Sequence, residues 1–421
     1  MKTIPRNICS AEELPIELIH HIVSCLEDSD NEEKFCYREH VPPDLNALSL
    51  VCRSWNEVCR HHIFRTIGVN YGHDSFTSRL SFLHFTAPHL YKYILRLDVC
   101  LDTGYDSVAE WVPECFARFT NLRALRLNAR FISGAILDVL PGFGIVSLLA
   151  SVRLQELVLA SWDVDAEASD LLPILSTCSP SLESLSLEMY GIYTPERPET
   201  TSCISGAPSP RSVCLDALRS LKVVQNVAVL PHTDRIKCPN LEYVEIVQLT
   251  SGYWNIPRWI PANLSELILS VSPTAIIPDI GAAICPSALT INILCPSEAP
   301  RLSSIAWIGD CINRLPFPNR LRGVAIHIDP LGWGGQSYPE PIHYEALHRI
   351  IQPLHDHGAL KKISISIGDV NDDSIETDCD EVAVFEEAFA PLIEGITAAG
   401  GFRRITCKYG GIDVLMSHEA L

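Results

Sequence analysis

The sequence predicts an α/β chain in which a small N-terminal helical module precedes a solenoid of parallel strands with outer helices. Three observations carry this. Apolar residues recur at three- and four-residue steps from Leu14 to Leu26 and from Leu45 to Cys59, the spacing of one helix face. Beyond about residue 70 a different phrase keeps returning: an apolar residue followed at +3 and +5 by two more, the last pair alternating as in a strand. Segments of helical pattern stand between those phrases, so the repeating unit is strand plus helix, the mark of a stacked array.

The first helix is expected in "LPIELIHHIVSCL". Leu14, Leu18, Ile22 and Leu26 fall four apart, and Ile19 and Val23 widen the stripe. Pro15 suits the first helical position, where its missing N–H costs nothing, and Glu17 favours the positive end of the helix dipole. A charged stretch, "EDSDNEEKFCYREHVPP", ends at a Pro-Pro pair. Asp44 then stands as the N-cap of a second helix, "LNALSLVCRSWNEVCRH". Its apolar positions are Leu45, Leu48, Val51, Cys52, Trp55, Val58 and Cys59, and as one unbroken helix it makes Val51, Cys52 and Trp55 a continuous face. Cys52 and Cys59 are then about 10 Å apart along the axis, too far for a disulfide or a shared metal ion. His61 and His62 are adjacent and point in different directions. Phe64 and Ile67 carry the apolar pattern into a third short element. Two or three helices in about fifty-five residues make a marginal core, and such a module shares its apolar surface with a partner or the next domain.

Residues 11–67 resemble an F-box. The likeness rests on Leu14-Pro15-x-Glu17-Leu18, on Val51-Cys52-Arg53-Ser54-Trp55 and on Phe64. Nineteen positions separate Leu26 from Leu45 (45 − 26), so the loop carries an acidic insertion relative to the family; loop length costs little thermodynamically. The resemblance implies a substrate-recognition subunit of a Skp–cullin–F-box E3 ubiquitin ligase. It assigns contacts with the Skp-type adaptor to Leu14, Pro15, Glu17, Leu18, Ile22, Leu48, Val51, Cys52, Trp55 and Phe64. The rest of the chain would hold an unknown protein target.

Residues 75–421 are expected to form the array. The phrase occurs as "NLRALRL" (Leu122, Leu125, Leu127), "RLQELVL" (Leu154, Leu157, Leu159) and "SLESLSL" (Leu182, Leu185, Leu187). It continues through "ALRSLKV" (Leu218), "NLEYVEI" (Leu241), "NLSELIL" (Leu264), "RLRGVAI" (Leu321), "ALKKISI" (Leu360) and "GFRRITC" (Phe402). Helices are expected in "AEWVPECFARF", "DLLPILSTCSP", "YEALHRIIQPLHDHG" and "PLIEGITAAG", the last two closed by glycine. The phrase resembles a degenerate leucine-rich repeat. A full repeat places Asn or Cys five residues after the second leucine; Asn226 matches, whereas Arg130, Trp162 and Tyr190 stand there elsewhere. Thr194 to Ser212, Asp329 to Pro341 and the acidic Asp369 to Glu381 read as surface insertions.

Composition narrows the function. The net charge of −19 (32 basic residues against 51 acidic) repels nucleic acid and anionic membrane, and Lys361-Lys362 and Arg403-Arg404 are isolated basic pairs. Prolines break the most apolar later stretch, 264–294, so stacked buried repeats rather than a membrane helix account for a mean hydropathy of +0.15. The N-terminus has no secretory pattern, which places the sixteen cysteines, none in C-x-x-C spacing, in reducing cytoplasm or nucleus as small core residues. No phosphate loop, nucleophile elbow, zinc-protease motif or dinucleotide motif is present. His343, His348, His355 and His357 are irregularly spaced and read as solvated helix-end residues. The chain is therefore expected to be no enzyme and to need no cofactor or metal. The competing expectation is a repeat scaffold with no ligase role, and a more distant one is an enzyme using the histidine segment.

Overall fold

The computed structural model describes residues 14–28, 43–71, 74–102, 109–130, 144–160, 171–178, 180–189, 212–225, 236–248, 260–261, 264–271, 286–293, 301–315, 321–328, 349–350, 362–367, 404–409 and 412–417. The three surface insertions (bar Ser212), the histidines His343, His348, His355 and His357, Asn226 and the helix expected in "PLIEGITAAG" lie outside them. So does all but 349–350 of the helix expected in "YEALHRIIQPLHDHG". The chain falls into two compact units, Met1–Leu159 and Ala160–Leu421.

The first unit opens with helices α1 (Ile16–Asp28), α2 (Pro43–Ser49) and α3 (Arg53–Ile63), α3 packing on both others. The second predicted helix is therefore two helices. The reason is geometric: Leu45 and Val58 are both 1% exposed, yet thirteen residues at about 100° each would put them on nearly opposite faces of one helix. Only a break lets both face one core. It falls at Leu50–Cys52, with Cys52 extended (φ −160°, ψ 178°) as the residue before α3. Asn56 brackets it, its side chain donating to the Ser49 carbonyl at 2.9 Å and its N–H to the Cys52 carbonyl at 2.9 Å. Pro43 rather than a residue after Asp44 opens α2, so Asp44 lies in the first turn instead of capping it.

Ile67, read as part of a third short element, belongs to a strand. Strand β1 (Thr66–Tyr71) runs parallel to β2 (Arg96–Asp102), which runs parallel to β3 (Ala124–Arg130); β4 (Glu156–Ala160) is next in order. Helices Asp74–Ser81, Val112–Ala117 and Ile145–Ser151 stand among them, the second as the sequence predicts. The last begins at Gly144 with φ +74°, and a Cβ there would lie 2.8 Å from the Pro113 Cα, so glycine is required twice over.

In the second unit β5 (Ser184–Met189), β7 (Ser220–Gln225), β9 (Tyr243–Gln248), β10 (Glu266–Val271), β11 (Ala288–Ile293), β12 (Gly323–Ile328), β13 (Lys362–Ile367) and β14 (Arg404–Tyr409) pair in that order, all parallel. Strand β15 (Ile412–Ser417) closes the series antiparallel to β14. Two-residue strands β6 (Val213–Cys214) and β8 (Ile236–Lys237) form a separate parallel pair. Helices Leu171–Cys178 and Arg301–Asn313 are the described helices of this unit.

In the phrases from Leu122 to Ile326, the three apolar residues are buried in the core. Leu122, Leu125 and Leu127, Leu218, Leu221 and Val223, and Leu264, Leu267 and Leu269 are all at most 3% exposed. Each such side chain contributes about 1.5–3 kcal/mol of transfer free energy, so a repeat is held by burial against its neighbours. Two phrases escape the sequence reading. Ile94 leads into β2, which carries Leu97 and Val99, and Pro286 leads into β11, which carries Leu289 and Ile291, so that proline replaces the opening leucine. The second divides the 57 residues between Leu264 and Leu321 into 22 and 35.

A recurring bond sets the register. The carbonyl just before one strand accepts two successive N–H groups of the next: Leu95 from Arg123 (2.8 Å) and Ala124 (3.0 Å), Arg219 from Glu242 and Tyr243 (2.9 Å each). Asn121 and Asn240, each just before an opening leucine, donate side-chain N–H to Lys92 and Asp216 carbonyls at 2.9 Å one repeat back. The asparagine ladder thus stands ahead of the phrase in these repeats, not after it.

Candidate functional site

The three helices enclose a core of Ile19, Val23, Leu45, Trp55, Val58 and Cys59. On α1 the buried face is centred on Ile19 and Val23, both 0% exposed, and not on the Leu14–Leu18–Ile22 row. Steps of four drift by about 40° per step, so that row winds across the helix instead of along one face. Leu14 and Ile22 pack partly against the core, whereas Leu18 is 43% exposed and Ile16, which the sequence reading passed over, 48%. Pro15 and Glu17 are exposed, Pro15 standing one residue before the helix with its carbonyl accepting the N–H of Leu18 and Ile19.

The break at Leu50–Cys52 splits the remaining residues. Trp55 is only 6% exposed and Leu48 and Cys52 are partly buried beside it. Val51 is 49% exposed and Leu50 84%. Val51, Cys52 and Trp55 therefore do not form the continuous face that an unbroken helix would give them. The corner instead lifts Leu50 and Val51 out of the core on a turn closed by Leu50 N–H to Ala47 (3.1 Å) and Val51 N–H to Leu48 (3.1 Å). Leu50 could have been found in the sequence: it is the apolar residue in "LSLV" that no three- or four-residue stripe uses. Phe64 is half-buried at the end of α3, its N–H donating to the Arg60 carbonyl at 3.0 Å.

Burial pushes the Cys59 thiol above its ordinary range, and elsewhere it pushes Cys115 to about 11 and Cys178 and Cys238 to about 12, as inert core residues require. Among the described residues no group of three His, Cys, Asp or Glu side chains is placed to hold a metal ion. Among them, too, no helix is long and apolar enough to cross a membrane.

Residues 11–69 match the family model for the F-box-like domain. This segment is an F-box-like domain. No curated protein matches the chain. Among solved structures it is similar to a chain of the crystal structure of a TLR13–ssRNA13 complex, at 11% identity and a TM-score of 0.35, over 66% of this chain and 32% of that one. The chain thus spans about a third of that solved chain's length.

The last turn of α3 in the F-box-like domain brings His61 among other rings. The His61 ring meets Tyr93 edge-on at 4.6 Å and lies 6.3 Å from His20, which is 5.9 Å from His62. Partial burial first, then His20, His62 and Lys92, hold His61 below the usual histidine range, against the opposing pull of Glu57. The folded form therefore binds this proton less readily than the unfolded chain. Its contribution to stability is present above the unfolded-state value of about 6.5 and is lost as pH falls through the folded value. Thermal unfolding is expected to move to lower temperature between pH 7.5 and 5.5, and less so for His61→Gln. Parallel pH profiles for variant and wild type would refute the assignment.

Proposed function

We propose that the chain is the substrate-recognition subunit of a Skp–cullin–F-box E3 ubiquitin ligase, working as a receptor and not as a catalyst in cytoplasm or nucleus. The Skp-type adaptor docks on the F-box-like domain, and the strand array holds a protein target. One observation carries the reading: at a fixed corner of that domain, Leu50 and Val51 stand in water at 84% and 49% exposure. Apolar side chains held there by a closed turn fit a partner's pocket, since exposed apolar groups grouped together mark interaction sites. Leu18 and Ile16 are further exposed apolar residues, on α1, with Pro15 and Glu17 exposed beside them. The core-packed members of the resemblance set, Leu14, Ile22, Leu48, Cys52 and Trp55, hold that surface in place.

Purified full chain is expected to capture a Skp-type adaptor, and replacing Leu14 and Pro15 together by alanine should abolish capture while the array stays folded. Failure of the wild-type chain to recover adaptor, under conditions that capture an established F-box protein, would leave the chain as a repeat scaffold with no ligase role.

A further inference from the structure

Helix α2 is seven residues long, and its last four carbonyls, those of Asn46, Ala47, Leu48 and Ser49, have no partner within the helix. Each is taken up from outside the helical ladder. The Ser49 hydroxyl donates to the Asn46 carbonyl at 2.7 Å. The Leu50 N–H donates to Ala47 and the Val51 N–H to Leu48, at 3.1 Å each. The Ser49 carbonyl accepts the Asn56 side-chain N–H at 2.9 Å. Three of these four donors lie at the end of α2 or just after it, and the one from Asn56 reaches across from α3.

In an unbroken helix the Ser49 carbonyl would take the N–H of Arg53, four residues on. The break removes that bond, and the half-buried Asn56 supplies a replacement. The Asn56 N–H also donates to the Cys52 carbonyl at 2.9 Å and so starts α3, where Cys52 makes no side-chain cap bond. One residue thus ties down both ends of the connection that carries Leu50 and Val51. At 84% exposure Leu50 has little packing of its own to hold it.

We propose that Asn56 is a positioning residue for the adaptor, acting through Leu50 and Val51 by holding them in the arrangement that docks. The proposal rests on the ligase reading of this corner. Anchors ordered in advance bind more tightly, because their ordering is not left to the moment of docking.

The test uses full chain on immobilised adaptor with Asn56→Leu, which matches asparagine in bulk, adds no charge and cannot donate. Capture should weaken about three- to tenfold, the range of one net hydrogen bond. Added to Leu50→Ala, the same change should weaken capture by less than it weakens the wild type, since one of the anchors it holds is already gone. In the free chain, amide exchange at Leu50 and Val51 should rise several-fold in Asn56→Leu while Val58 and Cys59 in the core keep the wild-type rate. Undiminished capture by Asn56→Leu, with the wild type binding normally, overturns the proposal and leaves the ligase reading standing. So does a loss that multiplies in full with that of Leu50→Ala, because the two residues then act independently. An equal rise of exchange at Val58 and Cys59 also overturns it, by making Asn56 a support of the whole domain. A wild-type chain that captures no adaptor defeats the ligase reading, and the proposal with it.

Discussion

Replacing Leu50 and Val51 together by aspartate abolishes adaptor capture while leaving the thermal unfolding of the chain unchanged. Both side chains already stand largely in water on a turn, a setting that tolerates aspartate, so their removal takes little from the core. A partner that buries them loses two apolar anchors and must desolvate two carboxylates. Anchors of this kind are worth about 2 kcal/mol or more each, so affinity should fall at least thirtyfold, roughly the effect of one such anchor alone. Capture on immobilised adaptor, with circular dichroism of the same preparation, reads both halves of the result. A folded double variant that binds as well as wild type removes the corner from the interface.

Trp55→Ala should instead act by unfolding the F-box-like domain. Trp55 is 6% exposed among Ile19, Val23, Leu45, Val58 and Cys59, and truncating a buried tryptophan costs about 3–5 kcal/mol. A helical module of this size has about that much stability to lose. Hydrogen exchange over α1 and α3 should rise and adaptor capture vanish with it, whereas Trp55→Phe keeps most of both. Lost capture with protection of α1 and α3 intact would make Trp55 a direct contact, as the F-box resemblance alone implies.

These two variants separate residues that the sequence treats alike. Val51, Cys52 and Trp55 share one short motif, and periodicity assigns them one face. Where that reading fails, a local bond decides: Asn56 ties the end of α2 to the start of α3, and no hydrophobic pattern reports a side-chain bracket. The array shows the same division. Apolar residues at +3 and +5 announce β3, β4, β5, β7, β9 and β10 because an alternating buried pair needs only local chemistry to be recognised. Strand β11 stayed hidden because Pro286 fills the place of its opening leucine, and β1 because Phe64 and Ile67 read only as a third short element.

By itself the sequence determined the class of the fold, a helical module followed by parallel strands, and the apolar residues of most repeats. Those follow from periodicity, which burial on one face imposes on any chain. Tertiary structure alone decided which of the motif's residues remain outside. Leu45 and Val58 must reach one core, so the helix between them breaks, and the break places Leu50 and Val51 in water. Exposure is a property of how three helices meet, and no single helix encodes it.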